Sequence, residues 1–175
     1  MNTDRYYLDL FRVSTAQLHE LTSAALMHGG DFSDLYFEYT TYFNLLLKDG
    51  VVSSGGFHTD FGVGIRVLKG EKTGYAYSEN TCMEDMLKAA KAASAIAAGA
   101  SGSRRYGITT ERKEDFYPVE QDWRQYDAGH FVPFLTALEK AVSAKDSRII
   151  KVIARLSDSV SDVMMYNSFG ELTCD

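Results

Sequence analysis

Four histidines, two cysteines and a few arginines are the side chains whose types could do chemistry, so their spacing decides what chemistry is open. His19-Glu20 begins like the helical zinc-peptidase signature, in which two imidazoles one turn apart flank a glutamate. The second histidine should stand where Ser23 is, so the pair is missing and His19 is expected to be a surface residue of a helix. His28 stands just before Gly29-Gly30 and is expected to help end that helix. His58 lies near a strand end beside Phe57 and Asp60, and His130 near a helix start. Cys82 and Cys174 are far apart and form no CxxC knuckle, so both are expected to be packing residues. A zinc site needs three or four ligands converging on one point. These scattered histidines and cysteines have no such spacing, and no metal ligand or catalytic residue is expected in this chain.

Gly62-Val63-Gly64 has the first two glycines of a dinucleotide fingerprint, but the third position is Val67. The segment also runs into a strand, not into a helix N-terminus that could receive a pyrophosphate. Two glycines on one strand face instead admit another backbone or a ligand closely. Arg66 shares that face, where it either pairs with an internal carboxylate or faces a groove or cleft. Arg104-Arg105, in a Ser/Gly run, reads as a solvated pair, and no nucleophile elbow, phosphate loop or Cys–His arrangement is present.

The elements that must position these residues follow from periodicity. Ser14 or Thr15 can cap a helix over 14–28, whose apolar stripe is Leu18, Leu21, Ala25 and Leu26. Strands occupy 33–78. Leu35, Phe37 and Tyr39 alternate with polar neighbours, and Phe43, Leu45 and Leu47 do so before the Asp49-Gly50 turn. Val51–Ser54 starts the return strand, and Phe61, Val63, Ile65 and Val67 form a third alternation, paired across a polar turn with 73–78. A capping box at Thr81–Glu84 opens a helix over 82–98 with a narrow stripe of Met86, Ala90, Ala93 and Ala97, small enough to lie close to a sheet. Residues 99–127 show little periodicity, although Phe116, Tyr117 and Trp123 suggest that the later part packs. A helix over 130–144 carries Pro133 in its first turn, and two strands split at Ser157-Asp158-Ser159 fill 149–167. The order predicts an α+β fold, a curved antiparallel sheet with helices packed on one face.

The chain has 175 residues, 45% hydrophobic and 24% charged, which suits one domain over 1–175. A net charge of -6 argues against nucleic acid or an anionic membrane as partner, since phosphates need clustered Lys and Arg. Met1–Arg12 lacks a signal-peptide layout and no apolar run is long enough for a bilayer, so the expected compartment is the cytoplasm.

The run from Ala24 through Gly29-Gly30-Asp31-Phe32-Ser33-Asp34-Leu35-Tyr36-Phe37-Glu38 resembles the opening of the TldD/PmbA family, once labelled modulator of DNA gyrase. The likeness continues at Leu47–Val52. It is strongest over Gly62-Val63-Gly64-Ile65-Arg66-Val67-Leu68 and Gly74-Tyr75-Ala76-Tyr77-Ser78, and the Ala-rich helix after Thr81 fits as well. It covers 24–98 well and 148–170 more loosely, and the Gly-Gly-Asp-Phe start is closer to the TldD branch.

The resemblance implies an N-terminal α+β domain ahead of a larger β-rich domain, which holds an HExxxH helix and a distant Cys that bind zinc. It implies pairing with a PmbA/TldE-type partner subunit, or a homo-oligomer, and trimming of unfolded peptides or proteins. No zinc ligand can be carried onto this sequence, so zinc is expected in a catalytic C-terminal domain absent from this chain. The chain itself is expected to be non-catalytic, helping to enclose peptide substrate, with Gly62, Gly64 and Arg66 as cleft-facing candidates. The alternative is a stand-alone protein- or peptide-binding module without enzymatic activity.

Overall fold

The structure, a computed structural model, describes residues 3–98, 109–110 and 120–175. Its α+β architecture is the expected one, a mainly antiparallel open sheet with four α-helices among the described residues. The elements are α1 (Thr3–Phe11), α2 (Thr15–Ala25), β1 (Phe32–Lys48), β2 (Val51–Lys69), β3 (Lys72–Ser78), α3 (Met83–Ile96), β4 (Thr109–Thr110), α4 (Ala128–Ser143), β5 (Ile153–Asn167) and β6 (Glu171–Cys174). Among the described residues the strand order is β3-β2-β1-β5-β6-β4, with β3 at an edge. β3 pairs antiparallel with β2, β5 pairs antiparallel with β6, and the two-residue β4 runs parallel to β6.

Three strands are longer than the periodicity suggests. β1 continues through Thr40-Thr41, β2 through Gly55–Asp60, and β5 through Ser157–Ser159, with 17, 19 and 15 residues. An ordinary strand has about 5–6. The apparent breaks reflect side-chain polarity: on β1 the buried positions run 33, 35, 37 and 43, 45, 47, with Thr40 buried out of phase between them. Threonine favours extended backbone regardless, so the strand does not stop.

The chain divides into two compact units. The first comprises Met1–Tyr39, Asp60–Asp115 and Ser161–Asp175; the second comprises Thr40–Thr59 and Phe116–Val160. Each has its own apolar cluster, because strands this long carry more apolar surface than one set of helices covers.

In the first unit the core gathers Phe11, Leu18, Leu21, Leu35, Phe37, Val63, Ile65, Val67, Met86 and Tyr166. Helix α1, which the sequence reading did not anticipate, places Phe11 against Phe37 and Phe61 at centroid distances of 5.3 and 5.9 Å. It ends at Arg12, whose φ of 55° is the left-handed turn that terminates many helices. Helix α2 starts on the expected Ser14, whose side chain and that of Gln17 form a full capping box. Helix α3 is the expected small-residue helix: Met86, Ala90, Ala93 and Ala97 are buried. A Cβ on Gly74 of β3 would stand 2.0 Å from the Ala93 carbonyl oxygen, so helix and strand touch backbone to backbone. The Thr81 capping box does not form. The cap is Cys82, which makes no side-chain cap bond; its own amide donates to Asn80 Oδ1 at 3.0 Å.

In the second unit Phe43, Leu45, Leu47, Trp123, Leu135 and Ala154 form the core. Phe43 lies between Phe57, Trp123 and Phe131, with centroids 5.0–5.6 Å away. Trp123 opens a single 3-10 turn, Trp123–Gln125, so this part of the irregular 99–127 stretch does pack; residues 99–108 and 111–119, with Arg104-Arg105, lie outside the described residues. Helix α4 begins earlier than expected because Asp127 caps it, accepting from the His130 amide at 3.0 Å. Pro133 therefore sits in the second turn, where it removes one helical hydrogen bond. From α4, Glu139 is buried and accepts the Gly50 amide at 2.7 Å, clamping the β1–β2 turn.

Candidate functional site

Alternation on the first unit's strands sorts the three sequence-predicted residues onto one face. On β2, Val63, Ile65 and Val67 are buried in the core, so Gly62, Gly64 and Arg66 must point the other way. β3 adds Tyr77 opposite Gly64 and Tyr75 opposite Arg66. On β1, Leu35 and Phe37 are buried, which turns Asp34, Tyr36 and Glu38 outward. The result is a face of three strands carrying Tyr36, Tyr75 and Tyr77 at 43, 56 and 67% exposure around two glycines and one arginine.

Arg66 is paired. Its Nε donates to Asp34 Oδ1 at 3.0 Å and a terminal amino group donates to Asp34 Oδ2, a two-point fork across β1 and β2. The bond to Asp34 raises the guanidinium pKa, helped by the opposite charge. Arg66 is thus paired with a carboxylate of the neighbouring strand on an exposed face, and its head group stays half exposed.

The glycines are occupied by neighbours. A Cβ on Gly62 would stand 2.4 Å from the Ser78 carbonyl oxygen, so the space belongs to the β3 backbone. A Cβ on Gly64 would stand 2.7 Å from the Tyr75 hydroxyl, so the Tyr75 ring leans over this position. Gly62 is thus a point of close backbone approach, and Gly64 is the floor on which an exposed tyrosine rests. Reasoning from types and spacing singled out the glycines and the arginine, and counted Tyr36, Tyr75 and Tyr77 among strand tyrosines of which most would pack and a minority could line a peptide groove, but it did not set Asp34 beside Arg66. The signal for the face was in the alternation, since Asp34 and Tyr36 share a parity on β1 and Tyr75 and Tyr77 on β3.

The histidines do not converge. His19 is half-buried, not a surface residue: its Nδ1 meets the hydroxyl of buried Tyr166 at 2.9 Å, because the helix stripe rotates it toward β5. Burial pushes the Tyr166 pKa up. The backbone amide and ring of His28 both meet Ser94 Oγ at 3.2 Å, joining the end of α2 to α3. His58 stacks on Tyr42 and His130 on Tyr126. Cys82 is exposed and Cys174 half-buried. Among the described residues no three His, Cys, Asp or Glu side chains are grouped so that they could hold a metal ion.

Residues 33–97, the stretch that builds this face, match the family model described as PmbA/TldA metallopeptidase domain 1. The metalloprotease TldD homolog of Haemophilus influenzae is 29% identical over 151 residues, which cover 83% of this chain and 30% of that protein. The metalloprotease TldD homolog of Buchnera aphidicola from Acyrthosiphon pisum is 24% identical over 145 residues, with the same shares of 83% and 30%. The chain thus spans about 30% of the length of the curated relatives it matches. In fold it is similar to a modulator of DNA gyrase from Thermotoga maritima (TM-score 0.68, 20% identity, 91% of this chain and 36% of that one). It is also similar to TldE from Thermococcus kodakarensis (TM-score 0.65, 15% identity, 91% and 36%). Over residues 33–97 the chain thus matches the first domain of the PmbA/TldA metallopeptidase family, and over most of its length it is similar to TldD homologs.

Proposed function

We propose that this chain is the non-catalytic first domain of a TldD-type zinc-dependent peptidase of the cytoplasm, and that its β1–β2–β3 face bears on unfolded polypeptide. The observation that carries the reading is the exposed tyrosine trio around the Asp34–Arg66 pair. Tyrosine offers a large, stiff contact area with a polar tip, which suits polypeptide of varied sequence. β3 lies at the sheet edge, where an extended peptide can add as a strand through main-chain hydrogen bonds. Zinc and the hydrolytic step belong to a domain outside this chain. A PmbA/TldE-type subunit, or a second copy, is the partner; the fold likeness to TldE supports the first choice. The net charge of -6 weighs against direct contact with nucleic acid, and among the described residues no helix is long and apolar enough to cross a membrane.

The purified chain, incubated with zinc and dialysed, is expected to retain less than stoichiometric metal and to leave reduced, carboxymethylated α-lactalbumin uncut. Chelator-sensitive cleavage of that substrate by the chain alone would overturn the non-catalytic assignment. Binding without cleavage, and with no effect of a TldE-type subunit, would instead leave a stand-alone binding module.

A further inference from the structure

The second unit has a groove that the tyrosine face does not use. One depression of about 300 Å³ is lined by Tyr42, Asn44, His58 and the run Ser157–Ser159. An adjoining depression of about 200 Å³ shares Asn44 and Ser157 and reaches Leu46, Ser54 and Arg155. All these residues belong to the second unit. On β1 Tyr42, Asn44 and Leu46 alternate with Phe43, Leu45 and Leu47, and Phe43 and Leu45 also line the two depressions, so the groove has polar walls beside an apolar rim of that unit's core.

We infer that this groove takes an arginine side chain of an extended peptide, with the guanidinium at the Tyr42–His58–Asp158 end and a carboxylate toward Arg155. The ring planes of Tyr42 and His58 are parallel within 6°, with centroids 4.4 Å apart, and His58 is exposed, which gives a flat aromatic wall. A planar guanidinium stacks on such a wall better than a compact ammonium does. Asp158 supplies the opposite charge: one carboxylate oxygen accepts the Ser159 amide at 2.8 Å, which orients the group. Ser157 and Ser159 add hydroxyl acceptors for the guanidinium N–H groups that the carboxylate does not reach. Between the two ends, Asn44 and Ser54 offer both donors and acceptors, as peptide main chain requires. Arg155 gives the groove a polarity, favouring a carboxylate and disfavouring a second cation.

The inference rests on the polypeptide reading above for the source of the arginine, but its test separates the two. The full chain is titrated with N-acetyl-arginine, N-acetyl-citrulline and N-acetyl-argininamide while the ring resonances of Tyr42, His58, Tyr75 and Tyr77 are followed. N-acetyl-arginine is expected to shift Tyr42 and His58 and leave Tyr75 and Tyr77 in place. The neutral isostere citrulline is expected to bind about tenfold more weakly, and the argininamide to bind more weakly than the acid. Asp158→Asn, at an exposed position, is expected to erase the preference for arginine over citrulline while its spectrum stays folded. Equal binding of arginine and citrulline, an unaltered preference in Asp158→Asn, or no shift at Tyr42 and His58 would overturn the groove assignment. Unfolded polypeptide failing to move Tyr75 and Tyr77 would count against the tyrosine face alone.

Discussion

At Gly62 a missing side chain is structural, because the Ser78 carbonyl oxygen would stand 2.4 Å from a Cβ there. Gly62→Ala must push one backbone away from another, and a cost of about 1–3 kcal/mol is expected. Gly56, also on a strand, has nothing within 4 Å of the same position, so Gly56→Ala should be neutral or stabilising by up to about 1 kcal/mol. Urea midpoints of the two variants check the contrast, and similar losses in both would refute the packing explanation. Cys174 gives a pH dependence. Burial, then the charge of Asp4, pushes its thiol up to about 11 from an ordinary 9.0. The folded state holds that proton more tightly than the unfolded state, so the contribution is whole below pH 9.0 and is lost as pH rises through about 11. Burial likewise pushes Tyr7 up to about 12. The urea midpoint should fall between about pH 8 and about pH 10.5. Cys174→Ala should show a shallower fall, and an identical slope in both proteins would exclude the thiol. Arg66 shows what residue types alone can say. That it could pair with a carboxylate was readable, but which carboxylate was not, since a strand register one residue away sets Ser33 across from it in place of Asp34.

Elements carry that register. Tyr39 with Phe61, Tyr42 with His58 and Phe43 with Phe57 step together along β1 and β2, and Asp34 with Arg66 keeps the same step. The hairpin that sets it has Asp49 and Gly50 both at positive φ, 52° and 76°, as the Asp-Gly pair suggests. What the pair leaves open is how many residues lie unpaired at the turn, and that choice decides the register for the whole of both strands. Glu139 holds the turn from outside through the Gly50 amide. Glu139→Ala removes a buried acceptor and is expected to cost about 1–3 kcal/mol. Glu139→Gln keeps an oxygen in place and should lose less. Amide exchange at Gly50 separates this from general destabilisation, for it should accelerate most in Glu139→Ala; unchanged exchange there would contradict the clamp. The Ala stripe of α3 was legible because only a helix pressed against a sheet needs it, as Gly74 beneath Ala93 shows. Helix α1 was not legible, since its short Tyr7 and Phe11 stripe sits among charges and is stabilised by packing on Phe37 and Phe61, far along the chain. The 130–144 helix was placed, but its start was read from Pro133 when Asp127 is the cap.

The molecule as a whole presents the tyrosine trio from one compact unit and the Tyr42–Asp158 groove from the other. Exposed aromatic faces of this kind mark surfaces that meet a partner or a ligand. The central claim is that the β1–β2–β3 face binds unfolded polypeptide. Its most direct test compares binding of reduced, carboxymethylated α-lactalbumin by the native chain and by the Tyr75→Ser, Tyr77→Ser double variant. Both tyrosines are exposed, so the variant should keep its fold. Aromatic anchors at such surfaces are each worth about 1–2 kcal/mol, so a loss of affinity of at least about tenfold is expected. Undiminished binding by a folded double variant would contradict the account.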